Sequence, residues 1–99
     1  MENYEEEICP ASALLKSLSG KWKPEIFRLS LKSSLRFSSL LRQLPNSNKQ
    51  SITIALRDLV NDGLLERFII KEKPINVEYR LTEKGKSLIS VFEQLELLN

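Results

Sequence analysis

The residues from 49 to 81, KQSITIALRDLVNDGLLERFIIKEKPINVEYRL, change the spacing of their apolar side chains halfway along. In the first part the apolar residues recur at i, i+3, i+4 and i+7, as on one face of a helix: Ile52, Ala55, Leu56 and Leu59. This predicts a helix from about Lys49 to Asn61, with Gly63 just beyond its C-terminal end. The second part alternates as strands do, and three segments are predicted there: a strand from Leu64 to Lys71, a polar tip at 72–76 and a strand from Val77 to Leu81. We therefore expect a helix followed by a two-stranded hairpin.

Outward from this segment, the apolar spacing predicts four further helices and one short strand. They are helices from Pro10 to Leu18, Lys21 to Leu31, Ser38 to Gln43 and Glu83 to Leu98, and a strand at Arg36-Phe37. Ser47 or Asn48 is expected to cap the helix that begins at Lys49, and Thr82 to cap the last helix. The predicted fold class is α+β and mainly α: a winged helix-turn-helix with an additional helix at each terminus.

The charge of the chain is unevenly distributed. The 99 residues fit a single domain, 1–99, with a net charge of +2. Residues 1–8 contain four glutamates and are expected to form a loosely ordered acidic arm; residues 9–99 then carry 15 basic and 9 acidic side chains. This basic body suits a polyanionic partner. Because the chain lacks an apolar stretch of about 20 residues and a signal-peptide pattern, we expect a cytoplasmic protein with no membrane partner.

The composition argues against an enzyme. The chain has no histidine and a single cysteine, Cys9, so the usual general base, a zinc site and an intrachain disulfide framework are all excluded. Its three glycines stand far apart, and no glycine-rich phosphate loop is formed. We expect no catalytic residue, no metal site and no cofactor.

Six blocks of sequence resemble the HxlR-type transcription regulators, which are relatives of the MarR-type regulators. The blocks are CP (9–10), GKWKP (20–24), RFSSL (36–40), LRDL (56–59), DGLLER (62–67) and VEYRLTEKG (77–85). The resemblance covers nearly the whole chain and implies a dimeric winged-helix regulator of bacterial transcription whose terminal helices form the dimer. The chain departs from the family at Asn46-Ser47-Asn48, where a Gly-Ile-Ser turn is usual, and at Gln50, where the family has a lysine nearby.

The outward face of the helix from Lys49 to Asn61 is predicted to contact double-stranded DNA. If the four apolar residues face the core, then Gln50, Thr53, Ile54 and Arg57 face away at 100° per residue. Glutamine and arginine suit adenine and guanine edges, and threonine and isoleucine suit a thymine methyl group. Lys49, at the N-terminal end, suits a phosphate. The alternative is that these are ordinary surface residues.

Further candidates for phosphate contacts lie on the hairpin, which forms the wing, and on the segment before the recognition helix, the helix from Lys49 to Asn61. They are Lys71, Lys73 and Asn76 on the wing, with Arg36 and Arg42 around the helix from Ser38 to Gln43. Two alternatives stay open. The lysines could protect an exposed strand edge, and Arg36 could make a buried structural bond.

The last helix is apolar on more than one side, which indicates a second packing partner. We expect residues 83–98 to form a dimerisation helix, with Leu14, Leu88, Phe92 and Leu95 at the contact between two copies. Some relatives use a cysteine at the position of Cys9 to sense oxidants, so the resemblance implies a redox sensor there; an inert cysteine is the alternative.

Together these patterns predict a sequence-specific DNA-binding transcription regulator that acts as a homodimer on a pseudo-palindromic operator. Its effector is not given by the sequence. The alternative function is a winged-helix protein–protein interaction module that does not bind DNA.

Overall fold

The structure, a computed structural model, describes residues 15–98 of the chain. Residues 15–18 are helical, and seven elements follow: α1 (Lys23–Ser30), α2 (Phe37–Gln43), α3 (Lys49–Asn61), β1 (Leu65–Glu72), β2 (Ile75–Leu81), α4 (Glu83–Ser87) and α5 (Ile89–Leu97). The predicted acidic arm, Cys9 and Leu14 lie outside the described residues. The predicted class is confirmed: the fold is mainly helical with a two-stranded antiparallel wing.

The helix α1 begins two residues later than the sequence predicts. Its N-cap is Trp22, whose φ of 70° places it in the left-handed region, so the helix cannot extend back to Lys21. Pro24 lies in the first turn, where its missing N–H costs no intrahelical hydrogen bond.

The short strand predicted at Arg36-Phe37 is wrong by one residue. The bridge to the wing is made by Leu35, which exchanges two backbone hydrogen bonds of 2.8 and 2.9 Å with Tyr79. Phe37 is the first residue of α2 instead. Because Leu35 is buried, this bridge holds the wing against the helical core.

The wing is longer than predicted and its tip is shorter. Antiparallel pairing runs from Leu65↔Leu81 to Glu72↔Ile75, which leaves only Lys73 and Pro74 as the turn. The register shifts between Ile69 and Lys71, so β1 carries one extra residue there.

The core confirms the predicted inward face of α3. Its buried apolar side chains come from α1, α2, α3 and α5, from the segments that flank them and from the base of the wing: Leu18, Ile26, Phe27, Leu35, Leu40, Leu44, Ile52, Ala55, Leu56, Leu59, Leu64, Leu65, Leu88 and Phe92. The rings of Phe27 and Phe92 meet edge to face, with centroids 5.0 Å apart. This contact attaches α5 to α1.

The predicted helix from Glu83 to Leu98 is divided into α4 and α5 at Leu88, which has φ −95° and ψ 0°. The start of α4 is joined to the end of α3. Thr82 accepts a hydrogen bond from the Gly85 N–H and donates its hydroxyl to the Gly63 carbonyl, and the Lys84 ammonium donates to the Asp62 carbonyl at 2.9 Å. The chain between α3 and α4 therefore returns to the point from which the wing departs.

Candidate nucleic-acid interface

The turn between α2 and α3 closes tightly in spite of its unusual sequence. Asn46 has a φ of 73°, and asparagine tolerates the left-handed conformation better than most residues. The Ser47 hydroxyl donates to the Leu44 carbonyl at 2.6 Å. Asn48 caps α3: its side chain accepts from the Ser51 N–H at 2.8 Å, and the Ser51 hydroxyl accepts in return from the Asn48 N–H. The two helices are thus held in a helix-turn-helix.

The outward face of α3 carries the predicted readers of the major groove. Gln50, Thr53, Ile54 and Arg57 are exposed, and Lys49 is exposed at the N-terminal end. Ile54 is 42% exposed, and the side chain of Arg57 is 62% exposed. The predicted orientation of these side chains is confirmed, and their contact with DNA stays a prediction.

Asp58 puts a carboxylate beside this face, and two cations balance it. Its Oδ2 lies 3.4 Å from Lys23 Nζ on α1, while its Oδ1 lies 3.8 Å from Arg57 Nε. The Lys23 side chain is only 16% exposed, so this pair anchors α3 to α1. Because the pair with Arg57 is long and exposed, the arginine has most of its donors free for a base or a phosphate.

A groove separates the start of α2 from the wing. It is lined by Arg36, Phe37 and Ser38 on one side and by Lys71 and residues 74–77 on the other. Lys71 and Lys73 are exposed, and Asn76 is half-buried. The structure therefore brings Arg36, Lys71 and Asn76 to one groove, whereas Lys73 lies in the turn of the wing and does not line it. Arg42 lies farther along α2, where its guanidinium donates to the Ser39 hydroxyl at 3.3 Å.

Glu78 joins Arg36 to the wing, and no pattern in the sequence marks this role. Its Oε2 lies 3.5 Å from Arg36 Nη2, and its Oε1 accepts from Arg80 Nη2 at 3.1 Å. The hydrogen bond from Arg80 is the main reason why the pKa of Glu78 lies below its usual value; burial opposes it, and Ser34 and Arg36 add to it. Arg36 does make an ion pair, but an exposed one rather than the buried bond considered above.

The wing also carries exposed apolar side chains that the sequence did not single out. Ile69 and Ile70 are exposed on β1, and Ile75, the first residue of β2, is 73% exposed. In the sequence these isoleucines look like buried strand residues. Only the tertiary structure shows that nothing within residues 15–98 covers them.

The four predicted dimer residues fall into three groups. Leu88 and Phe92, predicted to lie at the contact between two copies, are instead buried in the core of this protomer, each 5% exposed. Leu95 is exposed, as are Val91 and Leu97 on the same helix and Leu98 at its C-cap. Leu14 lies outside the described residues. An apolar surface is present on α5, but it is formed by a set of residues that overlaps the predicted one only at Leu95.

Two kinds of site are absent from the part of the chain that the structure describes. No helix within residues 15–98 is long and apolar enough to cross a membrane. In the same range, no three acidic or cysteine side chains come together as metal ligands.

Comparison with known proteins agrees with the helix-turn-helix fold of the structure. The family model described as HxlR-like helix-turn-helix matches residues 17–98. The chain belongs to this family. The resemblance inferred from the six sequence blocks is thereby confirmed, and the winged helix built by α2, α3 and the wing is the HxlR-like one.

Relatives in the HxlR-like family are regulators of transcription. The chain is 36% identical over 91 residues to an HTH-type transcriptional regulator of Methanothermobacter thermautotrophicus, covering 92% of this chain and 70% of the relative. It is similar to the crystal structure of the HTH-type regulator YtcD, with a TM-score of 0.84, 33% identity and coverage of 92% and 93%. It is also similar to the redox regulator HypR in its reduced form, with a TM-score of 0.83, 32% identity and coverage of 89% and 87%. The chain is thus a helix-turn-helix transcription regulator, and its family consists of regulators rather than enzymes.

Proposed function

We propose that the protein binds a pseudo-palindromic operator as a homodimer and reads it with the outward face of α3. The observation that carries this proposal is that face itself, where Gln50, Thr53 and Arg57 are exposed beside an exposed Ile54. Hydrogen-bonding groups and an apolar side chain on one helix face match the edges of base pairs in the major groove. Ile54 lies in the middle of this face, where its side chain can meet the methyl group of a thymine.

Each part of the surface has a distinct task in this proposal. Arg57 bonds a guanine, Gln50 bonds an adenine, and Thr53 and Ile54 contact thymine methyl groups. Lys49 binds a phosphate at the N-terminus of α3, where the helix dipole adds to its charge. Lys71 and Lys73, with Asn76, bring the wing to the adjacent minor groove, and Arg42 and Arg36 contact phosphates.

Support for the dimer comes from α5. Val91, Leu95, Leu97 and Leu98 are exposed within residues 15–98, although apolar side chains on one helix normally pack against a partner. A two-fold contact through this helix buries both copies of the surface at once. It also sets the two recognition helices about one turn of DNA, roughly 34 Å, apart.

The test is fluorescence anisotropy of the purified protein with the duplex upstream of its own gene and with a scrambled duplex, at several salt concentrations. We expect tight binding to the first duplex that weakens steeply with salt, because phosphate contacts release counterions. Absence of binding to either duplex at every salt concentration overturns the proposal.

Arg57→Ala is expected to weaken operator binding by about 1–3 kcal/mol and binding to the scrambled duplex by much less. The reason is that a base contact is lost only where the base is present. The control is Arg28→Ala on α1, whose Nε lies 3.4 Å from Glu96 Oε2 and which is therefore directed toward α5. An equal loss on both duplexes would make Arg57 a phosphate contact instead.

Leu95→Asp is expected to convert the dimer to a monomer in sedimentation velocity, because it buries a charge in an apolar contact. Leu95 is 37% exposed, so the protomer itself has room for the carboxylate. The matched control, Ile75→Asp on the wing, introduces the same charge at another exposed apolar residue and should leave the dimer intact. A Leu95→Asp protein that sediments as a dimer contradicts this role for α5.

We propose Cys9 as a redox sensor on the basis of the likeness to HypR, which is described as a redox regulator. Cys9 is the single cysteine, so its disulfide must join two protomers or include a small thiol. In either case two thiols lose two electrons and two protons to an oxidant such as diamide. Adding diamide to the binding assay should change operator affinity in the parent and not in Cys9→Ser; equal responses exclude Cys9.

A protein–protein interaction module is the second candidate function. The exposed Ile69, Ile70 and Ile75 favour it, because apolar side chains on a wing suit a protein surface better than a phosphate backbone. The salt dependence of binding separates the two candidates.

A further inference from the structure

We propose that Glu78 is a positioning residue for DNA binding, and that its carboxylate holds the guanidinium of Arg36 where Arg36 contacts a backbone phosphate. This inference rests on the proposed function. It adds an acidic residue to an interface that is otherwise basic, and it assigns that residue a favourable effect on the binding of a polyanion.

The geometry gives each carboxylate oxygen of Glu78 its own arginine. Oε1 accepts from Arg80 Nη2 at 3.1 Å, and Oε2 lies 3.5 Å from Arg36 Nη2. The Arg80 guanidinium also lies over the ring of Phe68, 4.6 Å from its centroid. Arg80 is therefore fixed on two sides, and it fixes the carboxylate to the wing.

Glu78 is more buried than Arg36, as expected if Glu78 positions Arg36. The side chain of Glu78 is 15% exposed, whereas that of Arg36 is 52% exposed. A guanidinium has five N–H donors, and the contact with Glu78 uses one nitrogen. The carboxylate is thus held inside the surface while the arginine presents its remaining donors to solvent.

The position of Arg36 matches the path of the DNA backbone. Arg36 is the N-cap residue of α2, and it lines the groove between α2 and the wing. With α3 in a major groove and the wing in the adjacent minor groove, one sugar–phosphate strand must run between them. Arg36 and Ser38 line the α2 side of the groove between α2 and the wing, so they face the wing across it.

Two effects of Glu78 oppose each other, and their signs make the inference testable. A carboxylate near DNA repels phosphate, so its removal should tighten binding if charge alone matters. An arginine that is already held loses less conformational freedom when it binds, so removal of the carboxylate should weaken binding if positioning dominates. We expect the second effect to be larger.

The experiment compares Glu78→Gln with Glu72→Gln by anisotropy at several salt concentrations. Glu72 is an exposed carboxylate of the same wing and makes no ion pair with any described residue. Glu72→Gln should bind DNA slightly more tightly than the parent. Glu78→Gln should bind about fivefold more weakly. Its plot of log binding constant against log salt concentration should be shallower by up to about 1, because one phosphate contact is lost.

A double-mutant cycle separates positioning from a general structural role. In an Arg36→Gln background, Glu78→Gln should no longer weaken binding and should behave like Glu72→Gln. A structural role of Glu78 weakens binding in both backgrounds and overturns the inference. Tighter binding of DNA by the single variant Glu78→Gln also overturns the inference, but it leaves the proposed function intact. The proposed function itself is overturned if the parent protein binds neither duplex.

If Glu78→Gln does not fold, Arg36→Lys tests the same point. Lysine keeps the positive charge but lacks the planar fork that a carboxylate can orient. We expect Arg36→Lys to bind as weakly as Arg36→Gln, and affinity equal to that of the parent contradicts the inference.

Discussion

Phe92→Ala is expected to lower the free energy of unfolding by about 3–5 kcal/mol. Phe92 is the buried residue of α5, and its ring packs edge to face with that of Phe27 at a centroid distance of 5.0 Å. Alanine removes this contact and leaves a cavity between α5 and α1, which the surrounding helices fill only partly. Urea unfolding followed by far-UV circular dichroism measures the loss. Phe92→Leu, which removes less side-chain volume, should cost less than Phe92→Ala.

The protein concentration distinguishes this core role from the dimer role that the sequence suggested. A core residue stabilises each protomer, so the loss should be the same at every protein concentration. A residue at the contact between copies makes stability depend on concentration, and its replacement changes that dependence. Leu95→Ala, on the exposed side of the same helix, is the control for the second behaviour. A Phe92→Ala loss that disappears in dilute protein would contradict the packing of Phe92 in the core of one protomer.

Gly85→Ala is expected to lower the free energy of unfolding by about 3 kcal/mol through overpacking. A Cβ on Gly85 would lie 2.5 Å from the carbonyl oxygen of Leu64 and 2.6 Å from Cδ2 of Leu81. The first of these is backbone and cannot move aside without displacing the base of the wing. Helix propensity alone predicts the opposite sign, since alanine is favoured over glycine by about 1 kcal/mol inside a helix.

Gly63→Ala is the matched control, because its cost has another origin. Gly63 has a φ of 80°, and a Cβ there would meet only the flexible Lys84 side chain, no closer than 3.5 Å. The left-handed backbone should cost about 1 kcal/mol, and Gly63→Asn should recover part of it. If Gly85→Ala unfolds at the same or a higher urea concentration than the parent, α4 packs less closely on Leu64 than the structure indicates.

Local signals account for the parts of the fold that the sequence predicts well. The bounds of α3 agree with the prediction because its apolar spacing, its Asn48 cap and Gly63 all act within a few residues. The same holds for Thr82 at the start of α4. For the candidate interface, the 100° rotation per residue is enough to separate the inward from the outward side chains of α3.

Contacts between distant segments account for what the sequence could not give. Leucine is a good helix former, so nothing at Leu88 signals the division of the last helix. The burial of Phe92 depends on Phe27, and the role of Glu78 depends on Arg36, which lies 42 residues away along the chain. Alternation in β2 marks Glu78 only as a polar residue facing away from Val77 and Tyr79. Its partner is set by how the wing packs against α2.

The junction at residues 82–85 fixes α4 to the C-terminal end of the recognition helix α3. The contact between Phe92 and Phe27 fixes α5 to α1, which is itself paired with α3 through Lys23 and Asp58. The Thr82 hydroxyl and the Lys84 ammonium both bond carbonyls at the end of α3, and Gly85 packs directly on the next residue, Leu64. In the proposed dimer, any change in the angle at which the two α5 helices cross would swing both α3 helices without bending either protomer. Such a swing would take the recognition helices out of phase with successive turns of the duplex. An effector that binds at the dimer contact would therefore release the DNA without touching a residue that reads a base.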